Sequence, residues 1–233
     1  MSTGGEGGML TTNDRELWQK AWEYKDHGKS WDAVYNREHP AGFRWLHESF
    51  GTNWRLAEIQ SAIGRIQLRK LPEWRDRRQA NAAILGKGLS RISALRITPP
   101  LVGIGHACYK YYAFVRPEML KAGWDRDRIM NAVIAEGVPC FSGSCGEIYL
   151  EKAFADASLQ PGERFPIARR LGETSLMFLV HPTLSAEDMR DTCAAIIKVM
   201  NHASVRQFSA DDLWPAYIDP HAQNRLPAIA YNF

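Results

Sequence analysis

Apolar residues recur at helical spacing near the start of the chain and predict a helix there. The residues that share its apolar face are Leu17, Trp18, Ala21 and Trp22. Asn13 and Glu16 stand three residues apart, like an N-cap and its capping-box partner. Gly28 can end the helix in a left-handed turn. The next stretch, from Lys29 to Phe50, is rich in aromatic residues and has no regular period, so it predicts an ordered loop.

A longer apolar stripe predicts a connecting helix from about Trp54 to Leu89. Its apolar residues are Leu56, Ile59, Ile63, Ile66 and Leu71, and the opposite side is basic, with Arg65, Arg69, Lys70, Arg75, Arg77 and Arg78. Pro72 has no backbone N–H, so we expect it to kink or divide this helix. The basic row is interpreted as a solvated helix face. A nucleic-acid surface is the alternative, which a net charge of only +3 and the lack of a recognisable motif disfavour.

The rest of the chain alternates strand patterns with helical ones, which favours an α/β domain. Strands are predicted at 95–98, 109–115, 138–141 and 176–180, and helices at 125–136, 165–173 and from Ser185 onward, where Asp188 completes a capping box. Tyr109, Tyr111 and Tyr112 lie on the second of these strands as core or interface residues, and one phenol could face a substrate cleft. The tail from about 207 to 233 has no period and is either a wrapping arm or disordered.

Composition places the chain among ordinary globular proteins. Hydrophobic residues make up 45% of the 233 residues and charged residues 24%. No apolar run approaches the roughly 20 residues of a membrane helix, and residues 1–12 lack a signal-peptide pattern, so a cytoplasmic protein is expected. The four cysteines, Cys108, Cys140, Cys145 and Cys193, form no CxxC pair and predict reduced, mostly buried thiols rather than a metal site.

A glycine cluster, Gly4-Gly5-Glu6-Gly7-Gly8, opens the chain. Its glycines allow close approach of the backbone to a ligand, and Glu6 would hold a carboxylate near that site. Taken alone, such a cluster is more often a turn. The cluster is followed, in order, by Asp26-His27-Gly28, by Gly51-Thr52-Asn53-Trp54-Arg55, and by Glu58 and Gln60. This series of blocks resembles the DegT/StrS-type pyridoxal-phosphate-dependent sugar aminotransferases over most of residues 1–200.

The resemblance implies a fold-type I α/β enzyme whose active site lies at a dimer interface. Residues 1–53 would belong to the large cofactor domain, 54–89 to the connecting helix and 90–202 to the small C-terminal domain, with 203–233 as a tail. In the family, the residue matching Asn53 reaches the cofactor phosphate of the partner subunit. Arg55 would add charge to that phosphate or to the diphosphate of the substrate, and Gly5, Glu6 and Gly7 would lie near the cofactor. The alternative for Asn53 is a plain helix cap. His27 either interacts with the helix dipole or lies at the edge of the active site.

The chain departs from the family in two places. The family's catalytic lysine stands just before the glycine cluster, whereas the first lysine here is Lys20, so we assign no catalytic residue. Where many members carry a His-Tyr-x-Pro-x-His segment beside the sugar, residues 140–149 read Cys-Phe-Ser-Gly-Ser-Cys-Gly-Glu-Ile-Tyr, which leaves the sugar open.

Two hypotheses follow from the missing lysine. In the first, the chain belongs to an aminotransferase that moves an amino group from an amino acid to a nucleotide-linked keto-sugar, but it is truncated and inactive unless a partner chain supplies the cofactor domain. A homodimer or an association with such a cofactor-domain chain is expected. In the second, it is a non-catalytic dimerisation module derived from such an enzyme.

Overall fold

A computed structural model of the chain describes residues 5–42 and 44–206. The chain divides into two compact units, Met1–Pro72 and Glu73–Phe233, and the four-part division expected from the sequence remains a prediction. The predicted tail lies outside the described residues from position 207 onward. Among the helices of the described part, none has the length and apolar character needed to cross a membrane.

The first unit begins with helix α1 (Arg15–Lys25). Its N-cap is Asp14, whose carboxylate accepts hydrogen bonds from the backbone N–H groups of Glu16 and Leu17. The predicted cap, Asn13, is therefore wrong by one residue, because the carboxylate of its neighbour reaches the free N–H groups instead. The predicted C-terminal turn is confirmed: Gly28 has a φ of +81°, and its N–H donates to the Glu23 carbonyl at 2.8 Å.

The predicted loop after α1 contains a short helix, α2 (Trp31–Tyr35). Its N-cap, Ser30, accepts a hydrogen bond from the backbone N–H of Ala33. Trp31 is the centre of an aromatic cluster, with ring centroids 4.6 Å from Trp18, 4.9 Å from Trp22 and 4.2 Å from Tyr35. These contacts pack α2 against α1, so the ring contacts order the segment that the sequence pattern left irregular.

Helix α3 (Glu58–Leu89) contributes residues to both units. It begins four residues later than predicted, and it is not divided at Pro72. Arg78 also differs from the expectation of a solvated basic face. It is buried, and its guanidinium donates a hydrogen bond to the Tyr109 carbonyl at 2.8 Å. The helical spacing correctly predicted the element, but the spacing carried no information about which charged residue tertiary contacts would enclose.

The second unit is built on a four-stranded antiparallel sheet with the order β1-β2-β4-β3, which confirms the α/β class. The strands are β1 (Leu95–Ile97), β2 (Tyr111–Val115), β3 (Cys140–Phe141) and β4 (Ser175–Phe178). The helices are α4 (Arg126–Ala135), α5 (Lys152–Asp156), α6 (Pro166–Thr174) and α7 (Ala186–Ala203), with short 3-10 turns at Pro117–Met119 and Ile148–Leu150. In the register, Ala113 of β2 lies between Ile97 of β1 and Leu176 of β4.

The hydrophobic core of this unit lies where the sheet meets α3, α4 and α7. Its fully buried side chains include Leu85, Leu89, Ile129, Leu176, Phe178, Ile196 and Met200. Burial of each such side chain contributes roughly 1.5–3 kcal/mol. The capping box predicted at Ser185 and Asp188 is present and begins α7. Helix α7 thereby presents its apolar stripe to the core.

Candidate functional site

The end of α1 and the segment 46–55 lie side by side as a short antiparallel pair. Asp26 pairs with Asn53 in an isolated β-bridge. The Thr52 N–H donates to the Tyr24 carbonyl at 2.7 Å, and the His27 N–H donates to the Thr52 carbonyl at 3.2 Å. The structure thus joins Asp26-His27-Gly28 to the Gly-x-Asn-x-Arg segment. The two motifs are separate in the sequence and form one structural feature.

Two glycines allow this close pairing. A Cβ on Gly28 would overlap the Ser49 carbonyl, and a Cβ on Gly51 would overlap the Gly28 nitrogen and lie 2.5 Å from the Tyr24 carbonyl oxygen. Gly28 and His27 also both have positive φ, at +81° and +65°. Residues other than glycine are strained in this region. Glycine at the junction of the two motifs is therefore explained by backbone contact.

Arg55 is held by an internal carboxylate. Its Nη1 donates to Oδ1 of Asp26, which is buried, and the Nζ of Lys29 lies 3.6 Å from Oδ2 of the same carboxylate. Two cations thus share one anion, and the group carries a net charge of +1. Arg55 keeps 44% of its side chain exposed. The predicted contact of Arg55 with a phosphate would therefore depend on the net charge of this group rather than on a free guanidinium.

Asn53 does not cap a helix, since α3 begins five residues later at Glu58. The cap interpretation is wrong because the backbone around Asn53 pairs with the end of α1 instead of entering α3. The side-chain oxygen of Asn53 accepts the Arg55 N–H at 3.4 Å. Asn53 is exposed, and its amide nitrogen is a hydrogen-bond donor.

The glycine segment is anchored by Gln60, in the first turn of α3. The Gln60 amide donates to the Glu6 carbonyl at 3.0 Å, and its oxygen accepts the Ala57 N–H at 3.3 Å. Gly5 has a φ of +110°, which glycine adopts readily. Glu6 and Gly7 are exposed. Sequence reasoning did not assign Gln60 to the site. The available signal was its position three residues after Ala57, where a glutamine can bond back to the N-cap N–H.

The predicted site residues therefore form two groups within the first unit. One consists of Gly5, Glu6 and Gln60, and the other of Asp26, Asn53 and Arg55 together with Lys29. Within the described residues 5–42 and 44–206, the polar partner of the Arg55 guanidinium is Asp26, and the polar partner of Glu6 is Gln60.

The donor set fits one part of pyridoxal phosphate, the cofactor implied by the resemblance. An exposed amide at Asn53 and a neighbouring ion group with a net charge of +1 suit a phosphate dianion. The residues present therefore supply groups that suit the cofactor phosphate.

The segment that departs from the family pattern is closely packed in the second unit. A Cβ on Gly146 would lie 2.7 Å from the Gly172 Cα. The Glu147 carboxylate accepts hydrogen bonds from Arg164 Nε at 2.9 Å and from the Tyr149 hydroxyl at 2.6 Å. The hydrogen bond from Arg164 has the largest effect and the one from Tyr149 the second largest, and together they lower the pKa of Glu147 to about 2. This carboxylate is thus an ionised structural anchor of the segment.

The described fold, with helices beside a small antiparallel sheet, matches that of fold-type I aminotransferases. The sequence model of the DegT/DnrJ/EryC1/StrS aminotransferase family matches residues 1–197, and the chain belongs to this family. The predicted family and fold are thereby confirmed.

Solved and curated proteins agree with this membership. The aminotransferase from Psychrobacter cryohalolentis is 51% identical, with a TM-score of 0.79 over 85% of this chain and 52% of that one. The spore coat polysaccharide biosynthesis protein SpsC of Bacillus subtilis (strain 168) is 28% identical over 85% of this chain and 51% of that protein. Helicobacter pylori PseC, an aminotransferase involved in the biosynthesis of pseudoaminic acid, shares the fold at 20% identity and a TM-score of 0.68, over 82% of this chain and 47% of that one. The chain thus spans about half the length of the relatives it matches.

Proposed function

We propose that this chain is the C-terminal part of a pyridoxal-phosphate-dependent sugar aminotransferase that transfers an amino group from an amino acid to a nucleotide-linked keto-sugar. The observation that carries the proposal is the pairing of Asp26-His27-Gly28 with Gly51-Thr52-Asn53-Trp54-Arg55, in a chain 51% identical to a solved aminotransferase. The similarity to SpsC, a spore coat polysaccharide biosynthesis protein, supports a sugar substrate.

In this proposal, Asn53 donates its side-chain amide to the cofactor phosphate, in the partner subunit of a dimer. The β-bridge to Asp26 fixes the backbone of Asn53, and the Arg55 N–H holds its side-chain oxygen. Asp26 positions Arg55 and Lys29 so that their net positive charge lies beside that phosphate. When bound, the cofactor supplies the electron-accepting ring.

A lysine is also required to move the proton between substrate and cofactor. The chain has nine lysines, beginning with Lys20 in α1, and Lys29 is 3.6 Å from Asp26. None of them precedes the glycine cluster. We therefore propose that residues 1–233 catalyse amino transfer only when polypeptide outside these residues supplies the lysine.

Exposed apolar residues in the first unit support such an association. Ile59 is 72% exposed, Leu68 67% and Phe50 99%. Unpaired apolar surface of this kind marks an interaction face. The same observation suits the second candidate function, a non-catalytic dimerisation module, which a stable, cofactor-free homodimer would favour.

The test is complementation. The chain is prepared alone and together with the part of the Psychrobacter cryohalolentis aminotransferase that it does not cover. Both samples are incubated with pyridoxal phosphate and borohydride for intact mass measurement, and assayed with glutamate and nucleotide-linked 4-keto-sugars. We expect no specific adduct on the chain alone, and an adduct on the added polypeptide with turnover in the pair.

Asn53→Ala should weaken cofactor retention in the pair, whereas Asn36→Ala serves as the matched control, because Asn36 bonds only to Asp32 among the described side chains. Stoichiometric trapping at one lysine of the chain alone would contradict the assignment of an incomplete site. A pair that binds the cofactor equally well with Ala at position 53 would contradict the role of Asn53.

A further inference from the structure

The second unit contains a cavity of about 460 Å³. It lies between α3, the β1–β2 pair and the loop that joins these strands. On α3, the residues that face it include Ala82, Ala83 and Gly86, and these short residues leave the space open. A Cβ on Gly86 would lie 3.3 Å from the Tyr111 hydroxyl oxygen. The cavity has the size of a small-molecule site, which is typically about 300–1,000 Å³.

The loop wall of the cavity is attached to α3 by side-chain hydrogen bonds. Arg78 donates to the Tyr109 carbonyl at 2.8 Å, and Gln79 donates to the His106 carbonyl at 2.9 Å. Arg78 is buried, and its guanidinium carbon also lies 5.5 Å from the centroid of the Tyr109 ring. The loop and the helix therefore form one preorganised wall.

The charges around the cavity favour an anion. Lys87 and Lys110 contribute to its lining together with His106, and its described lining residues include no Asp or Glu. The Tyr111 hydroxyl is protonated at neutral pH and can donate a hydrogen bond to an anionic oxygen, and burial raises its pKa further, to about 12.

The remaining walls are flat and apolar. Pro99 and Pro100 contribute to the lining from the loop, and Tyr111 faces the cavity from β2 with its hydroxyl near Gly86. The tyrosine ring provides a planar surface for an aromatic ligand, and the proline rings add apolar contact area beside it. From this combination of size, charge and shape we infer that the cavity binds a small aromatic anion, a flat ring system carrying a phosphate or a carboxylate.

This site does not depend on the proposed aminotransferase reaction. Every residue that lines the cavity belongs to Glu73–Phe233, whereas the residues assigned to the cofactor phosphate belong to Met1–Pro72. Ligand binding can therefore be measured on the chain without pyridoxal phosphate and without a completing polypeptide.

The test is a titration of the full 233-residue chain with 1-naphthyl phosphate, followed by calorimetry. Two comparison ligands each lack one recognised feature: 1-naphthol lacks the charge, and inorganic phosphate lacks the ring. We expect 1-naphthyl phosphate to bind with a Kd on the order of 1 mM or tighter. Both comparison ligands should bind with a Kd that is about tenfold higher, or should not bind at all. An absence of binding, or equal binding of 1-naphthol, would overturn the proposal.

Substitutions in the cavity lining test whether the ligand binds in this cavity. Ala83→Leu fills the cavity from an exposed helix position and should weaken binding of 1-naphthyl phosphate about tenfold or more. Ala80→Leu, on the same helix but outside the lining, is its control and should leave the affinity unchanged.

The charge of the lining is tested separately. The double variant Lys87→Met with Lys110→Met should weaken binding of 1-naphthyl phosphate selectively, whereas Lys152→Met should not. Circular dichroism checks that each variant is folded. Unchanged affinity in folded Ala83→Leu would show that the ligand binds elsewhere and would overturn the assignment.

Discussion

The guanidinium of Arg55 donates to the carboxylate of Asp26, 29 residues earlier in the chain. Asp26 is the C-cap residue of α1, and Arg55 belongs to the Gly-x-Asn-x-Arg segment. Their ion pair lies beside the β-bridge between Asp26 and Asn53, so it holds the candidate phosphate-binding residue in place. A site residue and its support therefore come from two motifs that the sequence presents separately.

Asp26→Asn should destabilise the first unit. The change leaves Arg55 and Lys29 without their shared carboxylate, and Asp26 is only 8% exposed. We expect the free energy of unfolding to fall by about 1–3 kcal/mol. Urea denaturation measures it. Asp32→Asn is the control, because Asp32 pairs with Arg37 but keeps 52% of its side chain exposed, and exposed pairs contribute about 0–1 kcal/mol. Equal losses in the two variants would contradict the structural role of Asp26.

Gly51→Ala should destabilise the chain, because the added methyl group would overlap the Gly28 nitrogen and approach the Tyr24 carbonyl oxygen. The expected loss is about 1–3 kcal/mol. Gly64→Ala is the opposite case: Gly64 lies within α3, and a Cβ there meets nothing within 4 Å. That change should stabilise the helix by about 0.5–1 kcal/mol. Thermal melts of both variants test the pairing of the two motifs, and a harmless Gly51→Ala would show that the segments do not pack in this way.

Glu147 should make stability depend on pH in the acid range. Arg164 and Tyr149 lower its pKa to about 2 in the folded chain, below the value of about 4.3 expected for an unfolded glutamate. Because the pKa of Glu147 is lower in the folded chain than in the unfolded chain, its contribution to the free energy of unfolding is complete above the unfolded pKa. That contribution is lost as the pH falls from about 5 to about 2. Glu147→Gln should therefore cost most stability at neutral pH and progressively less on acidification.

The measurement is the urea midpoint of both proteins across that pH range. Glu163→Gln, at an exposed glutamate of the same unit, controls for the general loss of a negative charge. A constant difference between Glu147→Gln and the parent chain at every pH would contradict the ion pair.

Cys145 should be the thiol that reacts first in the native chain. It is exposed, whereas Cys108, Cys140 and Cys193 are buried, and all four are free. Burial raises the pKa of both Cys140 and Cys193 to about 12, so these two remain protonated and unreactive near pH 8. Iodoacetamide followed by peptide mass spectrometry should find rapid label at Cys145, and Cys145→Ser should remove it. Label at Cys140 or Cys193 of comparable rate in native conditions would show that the core is open.

Local signals predicted the elements whose bonds are local. The capping box at Ser185 and Asp188 correctly marked the start of α7, since both partners lie within one helical turn. The left-handed Gly28 was correctly placed as well. The start of α3 was predicted too early, because backbone groups of residues 52–54 form hydrogen bonds with the end of α1 instead of entering the helix. Hydrophobic periodicity carries no information about such contacts.

The motif order along the chain was sufficient to identify the family and to select Asn53, Arg55 and the glycine cluster as candidate residues. The sequence by itself determined these residue types and their spacing, because glycine, amide and guanidinium chemistry is local to each side chain. Only the tertiary structure decided that Arg55 pairs with Asp26, that Gln60 anchors Glu6 and that Arg78 is buried. The physical reason is that charge pairing and burial depend on which distant segments the packed backbone brings into contact, and a linear pattern does not contain that information.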